Sequence, residues 1–181
     1  MYSYKKKSLL YDNLPAFRKL FIRLTVSLVL GIVLSFVFKS YIIFAWKFNT
    51  DSMRPGTARG KTGFWNRMFS REKMNYGKIY LYKIQNAELV LPGRLAGKPG
   101  DVLEIKSKKL RRNGEAVEDK SAFFSDPRPA FPQNISSRDF TEKISLGQNE
   151  FFFLCDNRDE CMDSRTVGKV QKSDILGELI F

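Results

Sequence analysis

The longest apolar stretch lies near the start of the chain. Residues Leu24 to Phe38 carry no charge and are rich in Leu, Val, Ile and Phe. Counted from Leu20, with Arg23 snorkelling, it approaches the roughly 20 residues that a membrane-spanning helix needs. Beyond it the pattern changes to short apolar runs separated by polar turns. Residues 41–48, 77–83, 88–91, 102–106 and 150–154 read as strands, and 167–181 as one or two closing strands. Residues 84–87 form a hairpin loop, Lys98-Pro99-Gly100-Asp101 a turn, and Asn113-Gly114 a two-residue hairpin turn. Residues 61–74 mix basic side chains with Phe64, Trp65, Met68 and Phe69. They read either as a segment resting on an anionic membrane surface or as a solvated loop with a few packed aromatics. Residues 121–138, with three prolines, read as a polar surface excursion. The pattern predicts an all-β domain on one helix, without internal repeats.

Charge orients this arrangement. Lys5, Lys6, Lys7, Arg18, Lys19 and Arg23 precede the apolar core, opposed only by Asp12. The positive-inside rule makes residues 1–19 a cytoplasmic terminus, 20–40 a transmembrane anchor and 41–181 an extracytoplasmic domain. A cleavable signal peptide has the same charge order but ends in a small-residue cleavage site. Here Lys39 and a further apolar run follow, without Ala-x-Ala. A buried core helix fits neither the all-round apolarity nor the basic flank. The net charge of +12 calls for an anionic partner. The anchor makes that partner a bilayer rather than nucleic acid. With no histidine, a Ser-His-Asp triad and a histidine metal site are excluded. With two cysteines, so is a four-thiolate zinc site.

Three stretches carry candidate chemistry. Ser52 lies in Asn49-Thr50-Asp51-Ser52-Met53-Arg54-Pro55-Gly56, a polar turn that presents a hydroxyl just after an apolar strand. The second stretch ends in Gly97-Lys98-Pro99-Gly100-Asp101. The third is 151–165, where Asp156, Arg158, Asp159, Asp163 and Arg165 crowd one loop behind a run of phenylalanines. It reads as a charge-assisted network bracing the loop or as a solvated charged loop.

In this order the three stretches resemble the signature boxes of type I signal peptidases. Ser52-Met53-Arg54-Pro55 matches the Ser-Met-x-Pro nucleophile box. Gly97, Pro99, Gly100 and Asp101 match Gly-x-Pro-Gly-Asp. Asp156, Asn157, Arg158, Asp159, Asp163, Ser164, Arg165 and Gly168 match the third box. The resemblance runs from the anchor to the last residue. It implies a signal-peptidase-type β-fold catalytic domain on a single N-terminal transmembrane helix, in the inner or plasma membrane. The implied activity is a Ser/Lys serine endopeptidase that removes signal peptides from exported proteins. Ser52 would be its nucleophile, with the Thr50 hydroxyl and the Ser52 backbone N–H in the oxyanion hole. Asp163 and Arg165, with Asp156 and Asn157, would brace the site, and Met53 and Leu91 would line the substrate pocket. No metal or organic cofactor is implied.

The sequence departs from the family at the base. The dyad lysine should immediately precede Arg94, but Gly93 stands there, behind Pro92. Cys155 replaces a usual glycine, and Cys161 replaces a serine that hydrogen-bonds the lysine. If strands 77–83 and 88–94 pair symmetrically about their turn, Lys78 lies opposite Gly93 and becomes a speculative replacement base; otherwise it is solvated. Cys155 and Cys161 form a disulfide or remain two thiols. The sequence therefore predicts a signal peptidase-like hydrolase acting through Ser52. The alternative is an impaired or inactive homologue that binds exported chains or an active paralogue.

Overall fold

The computed structural model describes residues 15–85, 87–131, 135 and 138–180. Helix α1, Ala16–Tyr41, begins at Pro15 and runs for 26 residues. It starts four residues before the predicted anchor, because proline with its fixed φ suits a helix start and the basic residues 18, 19 and 23 are good helix formers. At 1.5 Å per residue it is about 39 Å long, enough to cross a bilayer, and none of its residues is buried in the protein. Lys5, Lys6, Lys7 and Asp12 of the basic terminus lie outside the described residues. Residues up to Ile42 form one unit and Ile43 onward another.

The second unit is built almost wholly of strands. In chain order these are β1 (Ile43–Lys47), β2 (Thr62–Asn66), β3 (Ile79–Lys83), β4 (Val90–Gly97), β5 (Val102–Lys106), β6 (Lys109–Arg112), β7 (Glu115–Ala116), β8 (Ile144–Ser145) and β9 (Glu150–Leu154). A one-turn helix α2 (Ser164–Val167), β10 (Val170–Gln171), a 3-10 turn and β11 (Ile175–Leu179) complete it. The larger sheet runs β1-β2-β11-β3-β4-β9-β10 and the smaller β7-β6-β5-β8. Every ladder is antiparallel. Positive φ at Asn113 and Gly114 forms the tight β6–β7 turn, as the Asn-Gly pair predicts.

Side-chain alternation divides the interior into three clusters. Tyr80, Tyr82, Leu91, Leu95, Phe151 and Phe153 pack in one. Ala96, Leu103, Leu110, Phe152 and Leu154 form a second. Phe48, Met53, Trp65, Leu81 and Cys155 form the third. β9 feeds two clusters from its two faces, which explains its unbroken apolar run.

Two expectations change. Within residues 61–74, β2 pairs with both β1 and β11, and Trp65 is fully buried. The basic-aromatic mixture therefore contains a sheet strand, with Gly63 and Trp65 inward and Phe64 outward. The β3–β4 register also differs from the symmetric one. Lys83 pairs with Val90, and Tyr80, not Lys78, lies opposite Gly93. The hairpin loop is two residues longer than predicted, with the Ile84 amide donating to the Leu89 carbonyl.

Candidate active site

The turn after β1 carries Ser52. The Thr50 hydroxyl donates to Ser52 Oγ at 2.9 Å. The Asn157 amide donates to the Ser52 carbonyl at 2.9 Å, which holds the turn against the 155–163 loop. Ser52 is only 5% exposed, and Met53 beneath it is fully buried with Phe48, Trp65 and Leu81. Thr50 is exposed. Leu91 is buried in the first cluster rather than lining an open groove.

The 155–163 loop is braced from several sides. Asp163, with no exposed surface, caps α2 by accepting from the Arg165 amide at 3.0 Å. Its carboxylate takes Arg165 Nε at 2.9 Å and the Cys155 amide at 3.1 Å. Arg165 also donates to the carbonyls of Arg138 and Arg158 at 3.0 and 2.7 Å. Asp156 accepts Arg94 Nε and Nη2 at 2.8 and 2.6 Å, a bidentate pair that pushes the Arg94 pKa up. Arg158 donates to the Cys155 carbonyl at 2.8 Å and pairs with Asp119. Burial pulls its pKa down. Residues 119–126 pass over the loop as a strap: the Phe123 amide donates to the Asp156 carbonyl, and the Arg158 amide to the Phe123 carbonyl. Asp156, Arg158, Asp163 and Arg165 each have an opposite charge beside them, as burial demands, whereas the buried Asn157 Oδ1 and Asp159 Oδ1 have no hydrogen-bond partner among the described residues.

Cys155 and Cys161 are joined by a disulfide, with Cα atoms 6.5 Å apart. The two sulfurs and Asp163 would otherwise be spaced for a metal ion. Bonded sulfurs and a carboxylate already held by Arg165 leave no free donor set there.

At the base position the geometry is unambiguous. A Cβ on Gly93 would lie 2.9 Å from Tyr82 Cε1, 2.9 Å from Phe153 Cβ and 3.6 Å from the Tyr82 hydroxyl. The Tyr82 ring stacks on Phe153, centroids 4.8 Å apart, and fills the space that a side chain at 93 would enter. Its hydroxyl is buried and has no hydrogen-bond partner among the described residues. Burial pushes its pKa far up, so it stays protonated. Lys78 does not replace the lysine. Its backbone carbonyl accepts from the Leu95 amide, and its Nζ is 2.6 Å from Glu178. That hydrogen bond pushes its pKa up and keeps it charged. The assumed register fails because the hairpin loop is longer. The hydrogen bond at Ser52 Oγ comes from a hydroxyl, that of Thr50, rather than from an amine.

The same strand has one partly open edge. The Leu95 amide faces β3, so alternation turns the backbone of residue 92 to the other edge. There β4 pairs with β9 only from Arg94 onward, and Pro92 brings no N–H to the open part.

Thr50, Ser52, Met53, Asp156, Asn157, Asp163 and Arg165 thus belong to one connected region. Leu91 and Lys78 belong elsewhere. Tyr82 and Asp119 went unrecognised in the sequence, and Arg94 was read only as the neighbour of the base position, not as the partner of Asp156. A glycine in a buried strand is the one available cue to Tyr82, since some neighbour must fill its missing volume.

A profile described as "Signal peptidase, peptidase S26" matches residues 21–181. A Signal peptidase I P from Bacillus subtilis subsp. natto is 26% identical over 98% of this chain and 91% of its own length. An Inactive signal peptidase IA from Staphylococcus aureus is 24% identical over 87% of this chain and 88% of its own. The crystal structure of a signal peptidase I from Enterococcus faecalis is 22% identical. It covers 59% of this chain and 97% of that one, at a TM-score of 0.46.

Proposed function

We propose, from the premise that this chain belongs to the signal peptidase (peptidase S26) family, that it is a membrane-anchored, catalytically impaired member that binds signal-peptide-bearing exported chains. One observation carries this reading: Tyr82 and Phe153 fill the space that a base at position 93 would use. A serine hydroxyl needs a neighbour able to take its proton before it attacks a carbonyl. Arg94 stays protonated, Lys78 is charged and paired, and Tyr82 is a buried neutral phenol. The family's Ser/Lys route therefore lacks its acceptor. The helix and the basic residues before it support a single span in the cell membrane, with a cytoplasmic N-terminus and an extracytoplasmic body. An active paralogue is a further partner to test, and nucleic acid is not one.

A second reading, slow hydrolysis through Ser52, is favoured by the Thr50–Ser52 hydrogen bond and the braced loop. In it Thr50 helps hold the oxyanion, Asp163, Arg165, Asp156 and Asn157 brace the site, and Met53 shapes the pocket. One experiment separates the two. The full chain in detergent micelles is incubated with a labelled preprotein, beside its Ser52→Ala variant and an active signal peptidase. Cleavage at the background rate, together with crosslinking of a photoreactive signal peptide to both forms, is the expected result. Cleavage that disappears in Ser52→Ala would establish the hydrolytic reading instead.

A further inference from the structure

On the side of β4 away from Tyr82, a cavity of about 230 Å³ lies between the two sheets and the segment 117–119. Its apolar wall is made by Leu110, Val117 and Leu154, members of the second cluster or packed against it. Its polar wall is made by Arg94, Arg112 and Arg158.

The charges there do not balance. Arg94 is matched by Asp156 and Arg158 by Asp119. Glu118 at the rim lies 3.7 Å from the Lys120 ammonium. Arg112 forms no ion pair among the described residues. It is nevertheless fixed in place. Its guanidinium lies 3.7 Å from the Tyr76 ring centroid, and Nη1 donates to the Ala96 carbonyl at 3.1 Å. Tyr76 is pinned in turn by donating its hydroxyl to Asp101 at 2.8 Å, with Lys98 Nζ 4.1 Å from the same ring. The ordering entropy of this guanidinium is already spent before any ligand arrives.

We propose that this cavity binds a monocarboxylate with a short apolar tail, the carboxylate on Arg112 and the tail against Leu110, Val117 and Leu154. A planar guanidinium suits a carboxylate, and an apolar wall opposite it selects against inorganic anions. The volume suits one amino-acid-sized unit. Two sources carry that chemistry: the C-terminal residue of a peptide, and a free small acid. The site does not depend on Ser52 or on the proposed function.

The test is calorimetric titration of the full chain in detergent micelles. The probes are N-acetyl-leucine, N-acetyl-leucinamide, and one tripeptide ending in leucine with either a free or an amidated C-terminus. N-acetyl-leucine is expected to bind with a Kd of about 1 mM or below. The amide should bind at least about tenfold more weakly, because it lacks the charge-assisted bond. Arg112→Met should weaken acid binding by a similar factor, and Arg111→Met, whose guanidinium points to the Gly114 carbonyl, should not. Tighter binding of the free-acid tripeptide than of N-acetyl-leucine assigns the site to a chain terminus; the reverse order assigns it to a small acid. Equal binding of acid and amide, acid binding unchanged by Arg112→Met, or no binding at millimolar probe overturns the proposal. If Arg112→Met does not fold, the acid–amide contrast in the wild type decides it, with Arg112→Lys as the charge-retaining variant.

Discussion

Restoring the missing lysine alone should not restore a peptidase. In Gly93→Lys the new Cβ meets Tyr82 Cε1 and Phe153 Cβ at 2.9 Å each, where carbon atoms normally rest at about 3.5–4.0 Å. Both neighbours have no exposed surface, and they stack on each other, so neither yields cheaply. Overpacking of this kind costs about 1–3 kcal/mol, and steering an ammonium into an aromatic cluster adds to it. Tyr82→Ala alone leaves a void worth about 3–5 kcal/mol, reduced by about 1 kcal/mol because it removes a buried hydroxyl without a partner. Combined, the two substitutions relieve each other. The double variant should be more stable than the sum of the singles by about 2 kcal/mol, within the range for residues in contact. Unfolding of all four proteins in micelles measures this coupling, and preprotein cleavage is read on the same samples. Only the double variant is expected to gain Ser52-dependent cleavage. Additive stabilities, or a Gly93→Lys protein that folds like the wild type and cleaves, would refute the claim that Tyr82 occupies the place of the base.

Three other outcomes follow from the same geometry. Arg165→Met strands the buried Asp163 carboxylate and should cost about 3–5 kcal/mol, read as a lower unfolding midpoint. Reducing the Cys155–Cys161 bond frees a short loop and should lower stability by about 2 kcal/mol in the loop-entropy model, measured by unfolding with and without a reductant. Tyr76 is pushed up to about 12, first by burial and then by its bond to Asp101. Its contribution should be complete below about pH 10 and fade as the pH rises toward 12, because the unfolded phenol ionises first. As the side chain is partly exposed, the loss should stay near ~1 kcal/mol. The pH slopes of wild type and Tyr76→Phe, compared over that interval, measure it.

Which parts of this were legible beforehand follows from how local each signal is. The anchor and the Asn113-Gly114 turn are written in contiguous residues, and both were readable. The β-rich body was readable too, because alternation and turn residues mark strands one at a time. Register is not local. It depended on where the β3–β4 chain reverses, and a two-residue shift moved Lys78 away from Gly93. The basic-aromatic stretch misled for a related reason. Trp65 is buried because β11, more than a hundred residues later, pairs with β2. Tyr82 was invisible as a site residue because nothing in a Tyr-x-Tyr strand says that one ring will lie over a glycine from the next strand.

These departures fit one remodelled region better than scattered loss. Gly93 and Tyr82 are complementary in volume: the Tyr82 ring lies where a side chain at 93 would sit, and the packing is tight. On the opposite face of the same strand, Arg94 still locks Asp156, and the strap still ties down the loop that holds the Ser52 carbonyl. Buried ion pairs are poor contributors to stability compared with apolar packing. Removing one partner of Asp163–Arg165 or Arg94–Asp156 would strand a buried charge, so both pairs hold the loop rigid whether or not Ser52 turns over. A rigid loop beside Ser52, next to a filled space at position 93, fits the binding role proposed above.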